Sequence, residues 1–539
     1  MKFIFVSGGV ISGLGKGIVA SSIGKLIQSR GYKVSPVKID MYINIDAGTI
    51  RPQEHGEVFV THDGIETDQD LGHYERFLDI TLSRANYITT GQVYQEVINK
   101  ERSFFYNGED VEAIPHITDE IIRRIEAAGL KNNADVVIVE LGGTVGEYQN
   151  ALFFEASRIL KMKKPTDVLH VHVAYLPTPA SIGEMKSKPV QQSVRVLNSM
   201  GIQPDFIIGR AERPIDERRK DRIALFCNID KDEVISNPDT FSSYNVPLIF
   251  EKQSLAEKIL KKLNLKPKRK NLKDWQNLIE NIKNARKSLP VAIISKYSKV
   301  GDYNLSDAYI SIVEAIKHAA WPQGVNPEII WIDAEQLEKE KSLTTALKGV
   351  KGIIVPGGFG KRGVEGKIAA IQYAREKPLP FLGLCFGLQL AVVEFARNIC
   401  GLKKAHSTEI DPQTKYPVIA YLPEQIKYIK HSHYGATMRL GAYPCIIEKS
   451  TLAYRLYRKT KIAERHRHRY EVNPAFHRVL KQKGLIFSGT SPDKKLVEII
   501  EIKNHPFFIA SQFHPEFQST FKNPHPLFKG FIQACQQQK

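Results

Sequence analysis

The sequence predicts an α/β protein built from two doubly wound domains, each with a parallel sheet covered by helices. The chain has 539 residues, which exceeds the roughly 250–300 residues that one hydrophobic core can serve. Short β-branched runs alternate with helical patterns, as in a parallel sheet with crossover helices. This alternation occurs twice, on either side of a basic stretch at 266–290. We therefore expect domains at 1–265 and 291–539, joined by a linker at 266–290.

The predicted strands are short runs rich in β-branched residues, separated by polar or helical segments. In the first half they are FIFVS (3–7), KVSPVKI (33–39), DVVIVE (135–140), VLHVHVAYL (168–176) and DFIIG (205–209). In the second half they are VAIIS (291–295), EIIWI (328–332), GIIVP (352–356), PFLGLC (380–385) and FFIASQF (507–513). Between the first two strands, four apolar residues recur at a spacing that suits one helical face: Ile18, Ile23, Leu26 and Ile27.

Composition excludes several classes of protein. The chain is 42% hydrophobic and 25% charged, and it lacks an apolar run of the roughly 18 residues that a membrane span needs. The apolar run at its start is shorter than the roughly 7–15 residues of a secretory signal. Its five cysteines are scattered and form no CxxC pair, so neither a disulfide framework nor a zinc site is indicated. We expect a cytoplasmic protein with no membrane partner.

The charge balance is strongly basic, since Lys and Arg exceed Asp and Glu by 76 − 58 = 18. The densest basic runs lie at 216–222, 261–273 and 463–471. They lack the interleaved aromatic residues that stack nucleic-acid bases. We therefore expect solvated surface or phosphate contacts rather than a nucleic-acid partner.

A glycine-rich loop follows the first strand in the segment SGGVISGLGKG, 7–17. Its backbone amides and Lys16 are suited to hold phosphate groups. The match to the P-loop pattern is imperfect, because Val10 replaces the first glycine and Gly17 replaces the hydroxyl that normally binds magnesium. A magnesium ion therefore needs carboxylates elsewhere, and Asp70 and Glu140 are the candidates. Glu140 ends an apolar strand at the edge where open α/β sheets bind ligands.

A nucleophile is predicted at Cys385, between a strand and a helix in GLCFGLQ. Such a Gly-x-Cys-x-Gly elbow exposes the side chain at a sharp turn. His514 in SQFHPEF supplies a base, and Glu516 two residues later can orient the imidazole. The backbone amides of Gly358, in IIVPGGFG, and of Phe386 can stabilise an oxyanion. The residues thus predict a Cys-His-Glu hydrolytic site.

From about residue 291 to the C-terminus the chain resembles class I glutamine amidotransferases, through GLCFGLQ, PGGFG and QFHPE. The resemblance implies that glutamine is hydrolysed through a thioester, which releases ammonia. It also implies a set of glutamine-binding residues: Gly358, Phe386, Gly387, Leu388, Gln389, Glu409 and Arg469.

Almost the whole chain resembles the CTP synthase family. The motifs are SGLGKGI, KIDMYINIDAGT, HGEVFVTHDGIETDQDLGHYERF, KERSFFYNG, IPHITDEI, VELGGTVGE, KSKPVQQSV, IALFCN and ERHRHRYEVN. This resemblance implies an ATP-dependent amination of UTP, in which O4 is phosphorylated and ammonia then displaces the phosphate. That reaction is the last step of de novo pyrimidine nucleotide synthesis. The domain at 1–265 would be the amidoligase and the domain at 291–539 the glutaminase.

The same resemblance implies the nucleotide sites. Lys16 and Lys38 would be catalytic charges beside the transferred phosphoryl group, and Asp70 and Glu140 would bind Mg²⁺. ATP would be bound by Gly13, Leu14, Gly15, Lys16, Gly17, Ile18 and Asp70. UTP and CTP would be bound by Ser12, Glu147, Tyr148, Gln149, Lys186, Ser187, Lys188, Pro189, Val190, Gln191 and Arg222.

Partners and regulation are implied as well. The resemblance implies ATP and Mg²⁺ as cofactors, UTP and L-glutamine as substrates, CTP as a feedback inhibitor and GTP as an allosteric activator acting through Arg439. It further implies a homotetramer, with His55 and Val58 near the passage for ammonia. Two alternatives stay open from the residues: another glutamine-dependent ligase that consumes ATP, and a nucleotide-sensing or filament-forming protein that has kept the fold.

Overall fold

The computed structural model describes residues 1–51, 56–296, 299–300, 303–304, 306–338, 340–421 and 438–538. It divides into two compact units, each described here by itself. The first consists of Met1–Ala47 and Asp70–Ile279, and the second of Gly48–Gln69 and Glu280–Lys539.

The strands of the described residues are given in chain order: β1 (Lys2–Gly9), β2 (Val34–Asp40), β3 (Phe59–Val60), β4 (Glu66–Thr67), β5 (Tyr87–Thr89), β6 (Val136–Leu141), β7 (Val168–Tyr175), β8 (Phe206–Ala211), β9 (Val234–Pro238), β10 (Lys287–Ser295), β11 (Lys299–Val300), β12 (Tyr303–Asn304), β13 (Val325–Asp333), β14 (Ile353–Val355), β15 (Phe381–Leu384), β16 (Ala405–Ser407), β17 (Tyr416–Tyr421), β18 (Arg439–Ile447), β19 (Lys461–His468), β20 (Tyr470–Val472), β21 (Leu485–Thr490), β22 (Val497–Ile502) and β23 (Phe508–Ser511).

The α-helices are given in the same order: α1 (Lys16–Ser29), α2 (Asp70–Leu78), α3 (Thr90–Arg102), α4 (Thr118–Lys131), α5 (Ala151–Lys163), α6 (Lys188–Ser199), α7 (Glu217–Cys227), α8 (Val246–Lys252), α9 (Leu255–Lys262), α10 (Lys273–Asn284), α11 (Ile310–Ala320), α12 (Glu340–Ala346), α13 (Val364–Glu376), α14 (Phe386–Asn398), α15 (Leu452–Tyr457), α16 (His477–Gln482) and α17 (Pro526–Gln537). Among the described residues, none of these helices has the length and apolar character needed to cross a membrane.

The first unit contains a seven-stranded sheet in the order β5-β2-β6-β1-β7-β8-β9, and all its neighbouring strands are parallel. The five strands predicted from the first half form its centre. The two edge strands, β5 and β9, were not predicted, because neither carries a long β-branched run. From β1 the chain winds out through β2 to β5, returns to β6 beside β1, and then continues with β7, β8 and β9 on the other side of β1. The carboxyl end of β1 therefore lies where the winding reverses, which is where such sheets bind ligands.

The second unit contains a nine-stranded sheet in the order β13-β10-β14-β15-β23-β22-β21-β18-β19. The five strands from β13 to β23 are parallel and were all predicted. The other four pair antiparallel and were not predicted, since β19 in particular is largely charged. The predicted α/β class with two doubly wound sheets is confirmed, with an antiparallel extension in the second unit.

Helices cover both faces of the second sheet. Ile294 of β10 packs in one apolar core, which includes residues of α13 and α14. Its neighbour Ile293 packs in a second core, which includes residues of α11 and α17. Successive residues of a strand point to opposite faces, so the sheet is buried on both sides. This explains why its parallel strands read as nearly continuous apolar runs.

A short segment from the first half of the chain, 48–69, belongs to the second unit. Nη1 of Arg465 donates to the carbonyl of Val60 over 3.0 Å, and Nε of Arg467 donates to Oε1 of Glu66 over 2.7 Å. This grouping was not predicted. The boundaries at 265 and 291 stay predictions, and the stretch between them contains α10.

Candidate active sites

Cys385 lies at a sharp turn between β15 and α14 in the second unit. Its φ of 53° and ψ of −99° are unfavourable for a residue with a side chain. Two residues later, a Cβ on Gly387 would overlap the carbonyl oxygen of Val355, so only glycine lets the helix start this close to β14. The strand-turn-helix elbow predicted from GLCFGLQ is therefore present, with its side chain at the carboxyl end of the sheet.

His514 and Glu516 follow β23, the strand next to β15. Nδ1 of His514 lies 2.7 Å from Oε1 of Glu516. Nε2 of His514 is buried and makes no hydrogen bond with any described residue, and His514 lines the same cavity as Cys385. Burial opposes a charge on the imidazole, but the Glu516 carboxylate and the Cys385 sulfur raise the pKa of His514 to about 10. Nδ1 is thus held by a carboxylate, which leaves Nε2 as the nitrogen that can exchange a proton with Cys385.

The predicted oxyanion donors lie on two elements beside this cavity. Gly358, in the loop after β14, lines the cavity, and Phe386 is the first residue of α14. Backbone N–H groups at a helix N-terminus have no partner within the helix and favour an anion. The two amides are therefore suited to hold the oxygen of a tetrahedral intermediate formed on Cys385.

The residues implied for glutamine binding surround the same region. Gly358 and Arg469 line the cavity. Oε1 of Glu409 accepts a hydrogen bond from the amide of Gly360 over 2.7 Å, and burial raises its pKa. Gly387, Leu388 and Gln389 lie in the buried first turn of α14. Leu388 packs in the apolar core. Nε2 of Gln389 donates to the carbonyl of Tyr470 over 3.1 Å and lies 3.5 Å from Oε1 of Gln512, whose Nε2 lies 3.8 Å from the Cys385 sulfur.

Part of the cavity wall was missed by sequence reasoning. Segment 48–69 contributes Gly48, Ile50, Arg51, Glu57 and Val58, although only Val58 was implied near this region and His55 lies outside the described residues. The other wall residues that were not predicted are Ala308, Tyr309, Ile312, Gly357, Phe359, Met438, Arg467 and Phe517. Arg51 and Glu57 lie more than 300 residues before Cys385 in the sequence, so no local pattern could connect them.

Arg439, at the start of β18, has a side chain that is 9% exposed and is paired with two buried carboxylates. Nη2 lies 2.7 Å from Oε1 of Glu498, and Nη1 lies 3.3 Å from Oε1 of Glu471. Burial raises the pKa of Glu471 to about 8, and it also raises the pKa of Glu498. Arg439 is thus the countercharge of these two glutamates, and its implied role in GTP activation stays a prediction.

The second candidate site lies in the first unit, at the carboxyl end of β1. Nζ of Lys16, in the first turn of α1, donates to the carbonyl of Gly143 over 2.6 Å. Nζ of Lys38 donates to Oε1 of Glu140 over 3.1 Å and also to Asp70. Burial and the Asp70 charge raise the pKa of Glu140 to about 7. Burial opposes the charge of Asp70, but Lys38 keeps its pKa below the usual value.

The place of the missing P-loop hydroxyl is taken by a carboxylate. A Cβ on Gly17 would overlap Oδ1 of Asp70, with Oε2 of Glu140 at 3.4 Å. Mg²⁺ in nucleotide sites commonly has one or two carboxylate ligands, with phosphate oxygens and waters completing the octahedron. The two carboxylates fit that pattern. No group of three or more His, Cys, Asp or Glu side chains that could hold a metal ion occurs in the described parts of the chain.

A pocket lies beside the glycine-rich loop, and only the residues of one of its two walls were predicted. Gly13, Leu14, Gly15 and Ile18 form that side. The other side comes from the carboxyl ends of β8 and β9 and the residues after them: Arg210, Asn237, Pro238, Asp239, Thr240, Ser243 and Val246. Their position after two parallel strands is a signal that the sequence offered, but β9 was not predicted.

The residues implied for UTP and CTP lie on two neighbouring surfaces of the first unit. Lys188 to Gln191 form the first turn of α6, and Lys186 and Ser187 directly precede this helix. Glu147, Tyr148 and Gln149 lie in the turn before α5, and Tyr148 is fully exposed. A Cβ on Gly146 would lie 3.0 Å from Val196 of α6, so this turn is next to that helix. Ser12 is exposed in the glycine-rich loop, and the guanidinium of Arg222 lies 5.9 Å from the ring centroid of Phe226.

Comparison with known proteins gives two family matches. The model described as "CTP synthase N-terminus" matches residues 2–265, and that described as "Glutamine amidotransferase class-I" matches residues 304–534. Proteins named CTP synthase from Picosynechococcus sp. and Nostoc punctiforme are 51% and 52% identical over 535 residues, with 99% of this chain and 95% and 96% of theirs covered. The one from Caldanaerobacter subterraneus is 51% identical over 534 residues, covering 99% and 98%. The solved glutaminase domain of Trypanosoma brucei CTPS with bound acivicin is 36% identical, with a TM-score of 0.43, covering 47% of this chain and 95% of that one.

Proposed function

The chain belongs to the CTP synthase family, and from that premise we propose which of its residues carry out the reaction. It is a glutamine-hydrolysing ligase that aminates UTP to CTP at the expense of ATP. The observation that carries the assignment of residues is the pair of sites in one chain: a Cys-His-Glu elbow in one unit, and a phosphate loop with two carboxylates in the other.

The glutaminase half-reaction is assigned to the second unit. The Cys385 sulfur attacks the carboxamide carbon of glutamine, and the amides of Gly358 and Phe386 hold the resulting oxyanion. His514 passes a proton to the departing nitrogen, so that ammonia leaves and a thioester forms. His514 then takes a proton from water, which hydrolyses the thioester to glutamate. Glu516 holds Nδ1 of the imidazole, which keeps Nε2 directed at the reacting atoms.

The synthetase half-reaction is assigned to the first unit. O4 of UTP attacks the γ-phosphorus of ATP, and ADP leaves. This step is needed because the carbonyl oxygen becomes a good leaving group only when it is phosphorylated. Ammonia then adds to C4, and inorganic phosphate leaves to give CTP. Lys16 and Lys38 supply fixed positive charge to the transferred phosphoryl group. When bound by Asp70 and Glu140, Mg²⁺ would neutralise charge on the phosphate oxygens.

The remaining assignments rest on the family and on fewer observations. UTP and CTP are assigned to Ser12, 147–149, 186–191 and Arg222, with CTP as feedback inhibitor and GTP as activator. A homotetramer is supported by apolar side chains that are exposed on the first unit: Tyr94, Ile98, Phe104, Phe105 and Ile114. A cytoplasmic location is supported by the cysteines, all five of which are described and unpaired.

One experiment tests the assignment of the two sites. The protein is incubated with ATP, Mg²⁺ and UTP, and CTP is measured with either glutamine or ammonium chloride as the nitrogen source. Cys385→Ala should abolish CTP formation from glutamine and leave formation from ammonia intact. Cys400→Ala, which changes a cysteine outside the site, is the matched control. Retention of glutamine-dependent activity in Cys385→Ala would contradict the assignment. If the unchanged protein makes no CTP from either nitrogen source, it is not a ligase that aminates UTP.

A further inference from the structure

Two lysines are buried beneath the glycine-rich loop 356–360, and the reaction described above uses neither. Lys296 directly follows β10 and is 4% exposed, while Lys367 in α13 is fully buried. Burying an ammonium group away from water is costly unless hydrogen bonds compensate for the lost hydration. Their burial therefore raises the question of what they hold.

Both lysines donate hydrogen bonds to carbonyls of this one loop. Nζ of Lys296 lies 2.6 Å from the carbonyl oxygen of Gly360 and 3.4 Å from that of Phe359. Nζ of Lys367 lies 3.2 Å from the carbonyl oxygen of Pro356. The carbonyls on either side of Gly357 and Gly358 are thus held by lysines. The peptide that carries the Gly358 amide lies between two anchored ends.

The same lysines contact the residue that carries the other oxyanion amide. Nζ of Lys296 lies 4.3 Å from the ring centroid of Phe386, and Nζ of Lys367 lies 5.6 Å from it. The Lys296 ammonium is attracted by the quadrupole of this ring. Burial beside Lys296 holds the pKa of Lys367 well below its usual value, so Lys367 acts here through its N–H donor and its packing. Lys296 and Lys367 therefore join the loop of Gly358 to the first residue of α14.

A third contact fixes the end of the loop. The amide of Gly360 donates to Oε1 of Glu409 over 2.7 Å, while its carbonyl accepts from Lys296. Burial lowers the pKa of Lys296 to about 8, although the Glu409 carboxylate opposes this shift. Together the two lysines direct their donors at three carbonyls of one five-residue loop.

We propose that Lys296 and Lys367 are positioning residues, which hold the amides of Gly358 and Phe386 at the spacing required by the oxyanion. This inference rests on the proposed roles of Cys385, Gly358 and Phe386. Displacing an oxyanion donor by about 1 Å can slow the catalysed reaction about a hundredfold. Removing the donor can slow it by a similar factor. The binding of glutamine in its ground state does not depend on these amides to the same degree.

The test compares Lys296→Met and Lys367→Met with Lys361→Met, which removes an exposed lysine just after the same loop. In each of the two buried variants, kcat for glutamine hydrolysis should fall by about tenfold to a hundredfold, with KM nearly unchanged. The control should keep its kcat. CTP formation from ammonia should be retained in all three, which shows that the synthetase still works.

Alkylation of Cys385 by iodoacetamide supplies a second measurement, because this reaction needs the sulfur but no oxyanion hole. Its rate should be unchanged in both buried variants. The proposal is overturned if kcat stays near that of the wild type, or if alkylation slows in parallel with hydrolysis. Should Lys367→Met fail to fold, Lys296→Met tests the same loop through two other carbonyls. Failure of the proposed function is recognised separately, by glutamine-dependent activity in Cys385→Ala.

Discussion

The carboxylate of Glu57 accepts hydrogen bonds from Ser311, a residue 254 positions further along the chain. The backbone N–H of Ser311 lies 3.3 Å from Oε1 and 3.2 Å from Oε2 of Glu57, and its hydroxyl also donates to this carboxylate. Ser311 is in the first turn of α11, where N–H groups have no partner within the helix and a negative charge is favourable. Segment 48–69 is therefore joined to the second unit by a helix cap.

Replacing Glu57 with alanine should destabilise the second unit. The N–H and hydroxyl of Ser311 would be left buried without this acceptor, at a cost of about 1–3 kcal/mol. Calorimetry should show the loss in one transition rather than in all, since a chain with two units does not unfold in a single step. Glu57→Gln, which keeps an acceptor oxygen, is the control and should lose less. Identical thermograms for Glu57→Ala and the wild type would contradict the role of the cap.

Replacing Glu516 with glutamine should change how stability depends on pH. The pKa of His514 is raised from 6.5 to about 10, so its contribution to stability is complete below pH 6.5 and is lost as the pH rises through 10. Glu516→Gln removes the carboxylate that favours the charged imidazole. The difference in melting temperature between wild type and variant should therefore be largest near pH 6 and shrink as the pH rises through 10. A difference that does not vary with pH would argue against an imidazolium in the native site.

Replacing Gly17 with alanine should impair the synthetase and spare the glutaminase. The added Cβ would overlap Oδ1 of Asp70, which must then move away from Glu140. We expect CTP formation to fall at least about tenfold, because both carboxylates must be in place for phosphoryl transfer. The Mg²⁺ concentration needed for half-maximal activity should rise. Glutamine hydrolysis by the same preparation serves as the control, and an unchanged Mg²⁺ dependence would count against a metal site here.

Replacing Arg439 with methionine should destabilise the second unit more than any exposed substitution. Glu471 and Glu498 would lose their countercharge in a buried site, at a cost of about 3–5 kcal/mol. Because Glu471 is mostly neutral below its pKa of about 8, the loss that comes from this residue should be small near pH 6 and grow as the pH rises through 8. Unfolding by denaturant at several pH values measures this trend. The double variant Arg439→Met with Glu498→Gln should recover part of the loss, and no recovery would refute the pairing.

Local sequence patterns predicted much of the fold and many residues of both candidate sites. The strands at the centre of each sheet are apolar because helices cover both faces, and this burial is visible as runs of β-branched residues. The turn at Cys385 and the pairing of His514 with Glu516 involve residues that are close in sequence. Parallel strands bring their carboxyl ends to one edge, so residues that follow different strands could be expected to meet. The roles of the site residues themselves stay proposals until they are measured.

The contacts between distant segments could not be read from the sequence. Neither Lys296 nor Lys367 differs in its local pattern from a lysine on the surface, and only the packing of β10, α13 and α14 directs both at the loop of Gly358. In the same way, the hydrogen bonds between Glu57 and Ser311 join residues that are 254 positions apart in the sequence. The sequence by itself determined the sheet class and the reactive residue types, because these depend on periodicity and short motifs. Tertiary structure decided which charged groups are buried together, because desolvation depends on every segment that packs around them.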